Sequence, residues 1–355
     1  MKRKALALLA LVTVALLTAA AAGAKQTMKA DTSIAGAGSS LVNPLVQQFV
    51  APLGSAYGYS LTYASVGSGT GIADITNRTV DFGASDAPLN PSQASACGGC
   101  VEIPWALSGT TLSYNVPGVP NDLHLNGSTI AGIYLGQITN WDDPTIAKLN
   151  PKITFPNLTI TPVHRSDGSG DTYAFTDYLQ RLSSSFRTQV GNNTLVNWPG
   201  GIGENGNSGV AGEIASTSGA IGYISAAYSL PLHLRLAAVE NAAGAFATPG
   251  LRGIEAAAAA FPKPASTTNG VEMHIVNPPK SAGKLAYPIS TYTYIIVPQQ
   301  TSKAKELRTM IYWALTRGDR TYGPKLIFAP TFPKGILSAA EKAMARIGCP
   351  SSGCV

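Results

Sequence analysis

Three short stretches constrain the architecture of this chain more than anything else in it. Gly36-Ala37-Gly38-Ser39-Ser40, Gly67-Ser68-Gly69-Thr70-Gly71 and Asp167-Gly168-Ser169-Gly170-Asp171 each set small hydroxyl residues among glycines, just ahead of a helix start. Ser33 to Gly38 reads as a strand. The residues after it carry Pro44 near a first helical turn and Leu45, Val46, Phe49, Val50 and Leu53 on one apolar face. Tyr59 to Val66 alternates as a second strand, the next glycine turn leads to a helix bearing Ile72 and Ile75, and Val80 to Ala84 returns as a buried strand ending at Ser85-Asp86. Ile160 to His164 leads straight into the third turn, followed by Tyr173, Phe175, Tyr178, Leu179 and Leu182 at helical spacing. A strand, glycine turn, helix, strand rhythm of this kind predicts an open α/β sheet with its ligand beyond the carboxyl ends of the strands.

The remaining segments fit the same class. Ile103 to Val116 is extended and apolar, and Gly132 to Leu149 reads as helical pieces broken by Asn140-Trp141-Asp142-Asp143-Pro144. Gly206-Asn207-Ser208-Gly209 is a turn before a further helix, Ala220 to Ile224 and Tyr292 to Val297 are strands, and Ala304 to Arg317 is an amphipathic helix. No short-period repeat is present, but the first and third glycine motifs at equivalent junctions suggest two similar α/β lobes.

The chain opens with Lys2-Arg3-Lys4, an apolar run from Ala5 to Ala22 and the small-x-small pattern Ala22-Gly23-Ala24, which reads as a secretory signal peptide over residues 1–24. An uncleaved anchor is the alternative, because the run is near spanning length. Removing those three basic residues halves the formal charge of +6, so a nucleic-acid surface is not indicated. The 37 glycines and 24 prolines suggest a loop-rich globular protein, and a mature chain of about 330 residues favours two domains. In an oxidising compartment the four cysteines, Cys97, Cys100, Cys349 and Cys354, are expected as two local disulfides; a four-cysteine zinc site is the alternative.

A helix N-terminus exposes unpaired N–H donors and a partial positive charge. Glycine lets a tetrahedral oxyanion approach that backbone, and serine adds donors at little steric cost. One such stretch is usually a plain turn; three together point to one shared anion.

The motifs resemble a known family: the extracytoplasmic phosphate-binding proteins of the high-affinity phosphate ABC transporter. The likeness lies in Gly36 to Ser40, in Val80-Asp81-Phe82-Gly83-Ala84-Ser85-Asp86-Ala87-Pro88-Leu89 and in Arg165 to Gly170. It continues through Ile133-Tyr134-Leu135-Gly136, Trp141-Asp142-Asp143, Gly219 to Tyr223 and Tyr287-Pro288-Ile289-Ser290. It implies the two-lobed periplasmic-binding-protein fold, each lobe an α/β sheet flanked by helices, with residues 31–112 plus 286–355 in one lobe and 113–285 in the other. It also implies a periplasmic or otherwise extracytoplasmic monomer that encloses phosphate by hinge closure and delivers it to a permease and ATPase complex, with no catalysis, cofactor or metal.

Carried over by position, the resemblance makes the Ser40 hydroxyl, the Leu41 backbone N–H and Ser68 donors from one lobe, and Ser169, Gly170 and the Asp171 backbone donors from the other. Arg165 supplies a planar cationic donor, with Asp167 as its salt-bridge partner. Asp86 is the informative residue: a carboxylate beside an anion makes sense when it accepts a proton, which phosphate carries near neutral pH and sulfate does not. The bland role of Asp86 is to cap the Ala87-Pro88 turn. Asp171 departs from the family, which commonly has threonine there. It is expected either to turn outward and stabilise the start of its helix or to act as a second proton acceptor.

Two other classes stay open at this point. A secreted phosphatase-like enzyme would need a base for Ser68 or Ser169, and His124, His164, His233 and His274 are scattered with no recognisable catalytic spacing. His164 adjoins Arg165 but should face the other way along a strand. A carrier of another tetrahedral oxyanion is disfavoured by Asp86 for sulfate and molybdate, though not for arsenate.

Overall fold

The computed structural model of the chain describes residues 32–267, 270–272 and 274–354. The expected signal peptide lies outside the described residues, and among these no helix is long and apolar enough to cross a membrane.

The opening rhythm folds as its punctuation dictates. Strand Thr32–Gly38 runs into helix Asn43–Tyr57, which has Pro44 in its first turn, where the missing N–H costs nothing, and buries Leu45, Val46, Phe49 and Leu53. Gly58, left-handed at φ 70°, closes that helix by returning its N–H to Gly54 and Leu53 carbonyls. Strand Tyr59–Ser65 pairs parallel with the first, helix Ser68–Thr76 follows, and strand Phe82–Ser85 pairs parallel on the other side, Gly36 opposite Phe82. The first two glycine turns touch. A Cβ on Gly71 would lie 2.4 Å from the Gly38 Cα, so this approach needs hydrogen there.

The axis of the molecule is the strand Cys100–Asn115, buried along almost its whole length. Its residues 100–109 pair antiparallel with Ser290–Pro298, and its residues 110–115 pair antiparallel with Ala220–Ser225. From edge to edge the main sheet runs Tyr59–Ser65, Thr32–Gly38, Phe82–Ser85, Ser290–Pro298, Cys100–Asn115, Ala220–Ser225, Thr161–Arg165 and Ile202–Glu204. This is an α/β, two-lobed arrangement of a curled sheet flanked by helices.

Separate apolar cores fill the two sides. One gathers Ile34, Phe49, Phe82, Trp105, Ile295 and Trp313, with Phe49 edge-on to Trp313 at 5.2 Å. The other gathers Leu112, Tyr134, Trp141, Phe175, Tyr223 and Tyr287, with Phe175 stacked on Tyr223 at 4.5 Å. Truncating one such ring to alanine costs about 3–5 kcal/mol, so each core is a substantial anchor for the loops it carries.

Two local disulfides form, Cys97–Cys100 and Cys349–Cys354, which removes the zinc alternative. The amphipathic run from Ala304 is helical as expected, but the α-helix ends at Trp313 and Ala314–Gly318 continue it as a π-helical turn.

Candidate anion-binding site

The carboxyl ends of the central strands and the N-termini of the helices that follow meet on one side of the sheet. Ser40, Leu41, Ser68, Asp86, Arg165, Ser169, Gly170 and Asp171 are all buried there. Leu41 points its side chain into the first core, which leaves its backbone to line the turn.

Contacts run directly between motifs far apart in sequence. The Gly170 N–H donates to Ser68 Oγ at 3.1 Å, and the Gly69 N–H donates to the Gly168 carbonyl at 2.9 Å. Ser40 Oγ accepts the Asn207 backbone N–H at 3.1 Å and its side-chain amide at 2.9 Å, while Tyr228 donates to the Ser40 carbonyl at 2.9 Å. Ser169 is the N-cap of helix Gly170–Leu182, its Oγ accepting from the Thr172 N–H, so this hydroxyl fixes the helix entry.

Asp86 sits one residue beyond strand Phe82–Ser85 and is wrapped in hydroxyls. Ser39 Oγ lies 2.7 Å from both of its oxygens, Thr293 donates to Oδ1 at 2.6 Å and Ser68 donates to Oδ2 at 3.4 Å. Burial, and then the charge of Asp171, push its carboxyl up to about 7, against the hydroxyl donors and Arg165.

Arg165, last residue of strand Thr161–Arg165, is 2 % exposed. Its Nε donates to Asp167 Oδ1 at 2.6 Å, one terminal nitrogen bonds Asp167 Oδ2, and the other reaches Asp171 Oδ2 at 3.2 Å. Burial works against the guanidinium charge, but Asp167 and Asp171 outweigh it and hold the group protonated. Burial likewise opposes the Asp167 charge, and Arg165 overrides it, so this carboxyl stays below its usual range.

Asp171 corrects one expectation: it does not turn outward. Its side chain is fully buried, with Oδ1 accepting from Thr110 at 2.7 Å and Oδ2 from Asn207 Nδ2 at 2.6 Å as well as from Arg165. Burial pushes its carboxyl upward, with Arg165 pulling the other way.

His164 faces away as the strand alternation required, stacked against Trp198 at 5.2 Å, its ring pKa lowered by burial. Asn207, Ser39, Thr110 and Thr293, which hydrogen-bond Ser40, Asp86 or Asp171, are members of this candidate cluster that sequence reasoning missed. The signal for Asn207 was there, a fourth glycine-flanked turn before a helix. Thr110 and Thr293 stand within long strands and have none.

A family model described as a PBP superfamily domain matches residues 21–317. The phosphate-binding protein PstS of Xylella fastidiosa is 36 % identical over 294 residues, 82 % of this chain and 79 % of that protein. The chain belongs to the PstS family of phosphate-binding proteins. Its Haemophilus influenzae member is 33 % identical over 290 residues, 81 % of this chain and 85 % of that one. Among solved structures, a high-affinity periplasmic phosphate-binding protein bound with phosphate superposes with a TM-score of 0.67 at 20 % identity, over 90 % of this chain and all of that one. A putative phosphate ABC transporter substrate-binding protein from Clostridium perfringens, also with bound phosphate, gives 0.62 at 18 % identity over 84 % and 99 % of the two chains. At these identities the superpositions establish the fold that the family shares.

Proposed function

We propose that this protein binds inorganic phosphate outside the cytoplasmic membrane and hands it to the permease and ATPase of an ABC transporter, without catalysing a reaction. The observation that carries this reading is the meeting of one buried guanidinium, Arg165, and one hydroxyl-wrapped carboxylate, Asp86, among the donors of three helix N-termini. Family membership supplies the transport role.

We assign residues 31–112 with 286–355 to one lobe and 113–285 to the other, in keeping with the change of partner along the central strand between Gly109 and Thr110. Ser40, the Leu41 N–H and Ser68 then donate from the first lobe, and Arg165, Ser169, Gly170 and the Asp171 backbone from the second. The cross-lobe bonds from Gly170 to Ser68 and from Asn207 to Ser40 use donors that the oxygens of an enclosed anion would take over. Hinge closure is the population shift that contacts to both lobes favour.

Asp86 supplies selectivity: it accepts a P–O–H hydrogen bond and meets sulfate with an unrelieved repulsion. Titration calorimetry of the phosphate-stripped mature protein should give tight phosphate and arsenate binding and none for sulfate, and Asp86→Asn should lose phosphate affinity and the discrimination together. Sulfate binding as tight as phosphate would overturn the reading. Turnover of a phosphate ester by the same preparation would move the protein to the enzyme class.

A further inference from the structure

The buried site holds more carboxylates than its cation can neutralise. Arg165 faces Asp167 through two of its nitrogens and Asp171 through the third, and Asp86 stands in the same buried cluster with only hydroxyl side chains on its oxygens. Among the described residues, the other titratable groups facing this cluster are Tyr63, Tyr223 and Tyr228, all pushed upward by burial and therefore neutral across the working range. Asp167 is committed to Arg165 and ionised. A phosphate dianion entering here would meet two further carboxylates, and among the described residues the cation of this cluster, Arg165, is already shared between Asp167 and Asp171.

Hydrogen resolves this. A carboxylate that faces a P–O⁻ repels it, whereas one that faces a P–O–H accepts a charge-assisted hydrogen bond. Two such carboxylates from different elements, Asp86 beyond strand Phe82–Ser85 and Asp171 in the first turn of helix Gly170–Leu182, ask for two protons. Resting on the phosphate reading above, we propose that Asp171 makes the site a two-proton receptor, selective for dihydrogen phosphate or its equivalent, in which phosphate, Asp86 and Asp171 together hold two protons. Asp171 is thus a specificity-determining residue for the protonation state of the ligand.

The upward displacement of both carboxyls, each burdened by burial, is in line with this demand. Where phosphate is the monohydrogen species and both carboxyls are ionised, phosphate brings one proton and the second must come from solvent on binding. By linkage, each pH unit then weakens binding about tenfold.

The test is titration calorimetry of the phosphate-stripped mature protein with inorganic phosphate from pH 6 to 9, in buffers of differing ionisation enthalpy, on wild type, Asp171→Thr and Asp171→Asn. Wild type should take up about one proton per phosphate at pH 8.5, with Kd rising about tenfold per unit above neutral. Asp171→Thr should take up none, with Kd constant within about threefold from pH 7.5 to 9; if it fails to fold, Asp171→Asn gives the same comparison. A wild type without proton uptake at pH 8.5, or a variant with undiminished uptake, would overturn the inference and leave phosphate binding intact. A wild type that binds no phosphate at any pH would overturn both.

Discussion

Replacing Gly170 by alanine should abolish tight anion binding while leaving the unliganded fold intact. Gly170 is the first residue of helix Gly170–Leu182, where alanine is at least as good a helix former, so the substitution has no local cost. Across the site, however, its new methyl would lie 2.4 Å from Asp86 Cβ and 2.6 Å from Asp86 Oδ2. Carbon atoms at rest sit about 3.5–4 Å apart, so the two loops must separate by about an ångström or more. The 3.1 Å bond from the Gly170 N–H to Ser68 then passes beyond hydrogen-bonding range, and an anion held by one set of loops loses the donors of the other. Loss of two charge-assisted bonds at about 1.5–3 kcal/mol each amounts to about 3–6 kcal/mol, or about 10²- to 10⁴-fold in Kd. Calorimetry with phosphate reads the affinity, and a thermal melt without phosphate reads the fold, expected within about 2 °C of wild type. A Kd within about threefold of wild type would refute the idea that these loops close to the observed contact around the ligand. A large loss of Tm in the unliganded protein would show that the contact serves folding instead.

Asp319 is fully buried, neither of its oxygens has a hydrogen-bond partner, and burial holds its carboxyl well above the usual range. Because the folded value is the raised one, its contribution to stability is present below about pH 4 and is lost as pH climbs towards that value, at up to about 1.4 kcal/mol per unit. Asp319→Asn should flatten this part of the stability curve between pH 5 and 8, and denaturant curves for variant and wild type that stay parallel with pH would contradict it. Removing the Cys97–Cys100 disulfide with a double serine variant should cost about 2 kcal/mol, the chain-entropy value for so short a loop. Chemical denaturation under oxidising and reducing conditions checks this, and the variant's midpoint should not respond to reductant through this pair.

The parts of the site legible in the sequence are those that local chemistry specifies. Glycine and serine ahead of an apolar periodic run mark a strand-to-helix junction wherever they occur, so Ser40, Ser68, Ser169 and Gly170 could be found by reading along the chain. Asp86 and Arg165 stand at strand ends for the same reason. Thr293 could not be found that way. It donates to Asp86 across 207 residues because strand Ser290–Pro298 takes its place between Phe82–Ser85 and Cys100–Asn115, with a register shift between Thr293 and Tyr294. Thr110 lies where the central strand changes partners, an event that no window of its own residues announces.

Asp171 is the sharpest case, because its identity was plain and its direction was not. In the first turn of a helix a carboxylate meets the favourable end of the macrodipole whether it points to solvent or inward, so local energetics do not choose. The choice is made by Thr110, 61 residues before it, by Asn207, 36 residues after it, and by Arg165 at the end of the preceding strand. Three donors from three elements offset the cost of burying the charge, and no two of them share a segment. An inward aspartate here is therefore a property of the assembled sheet, and a homologue that lacked the counterpart of Asn207 or Thr110 would be expected to turn the same residue outward.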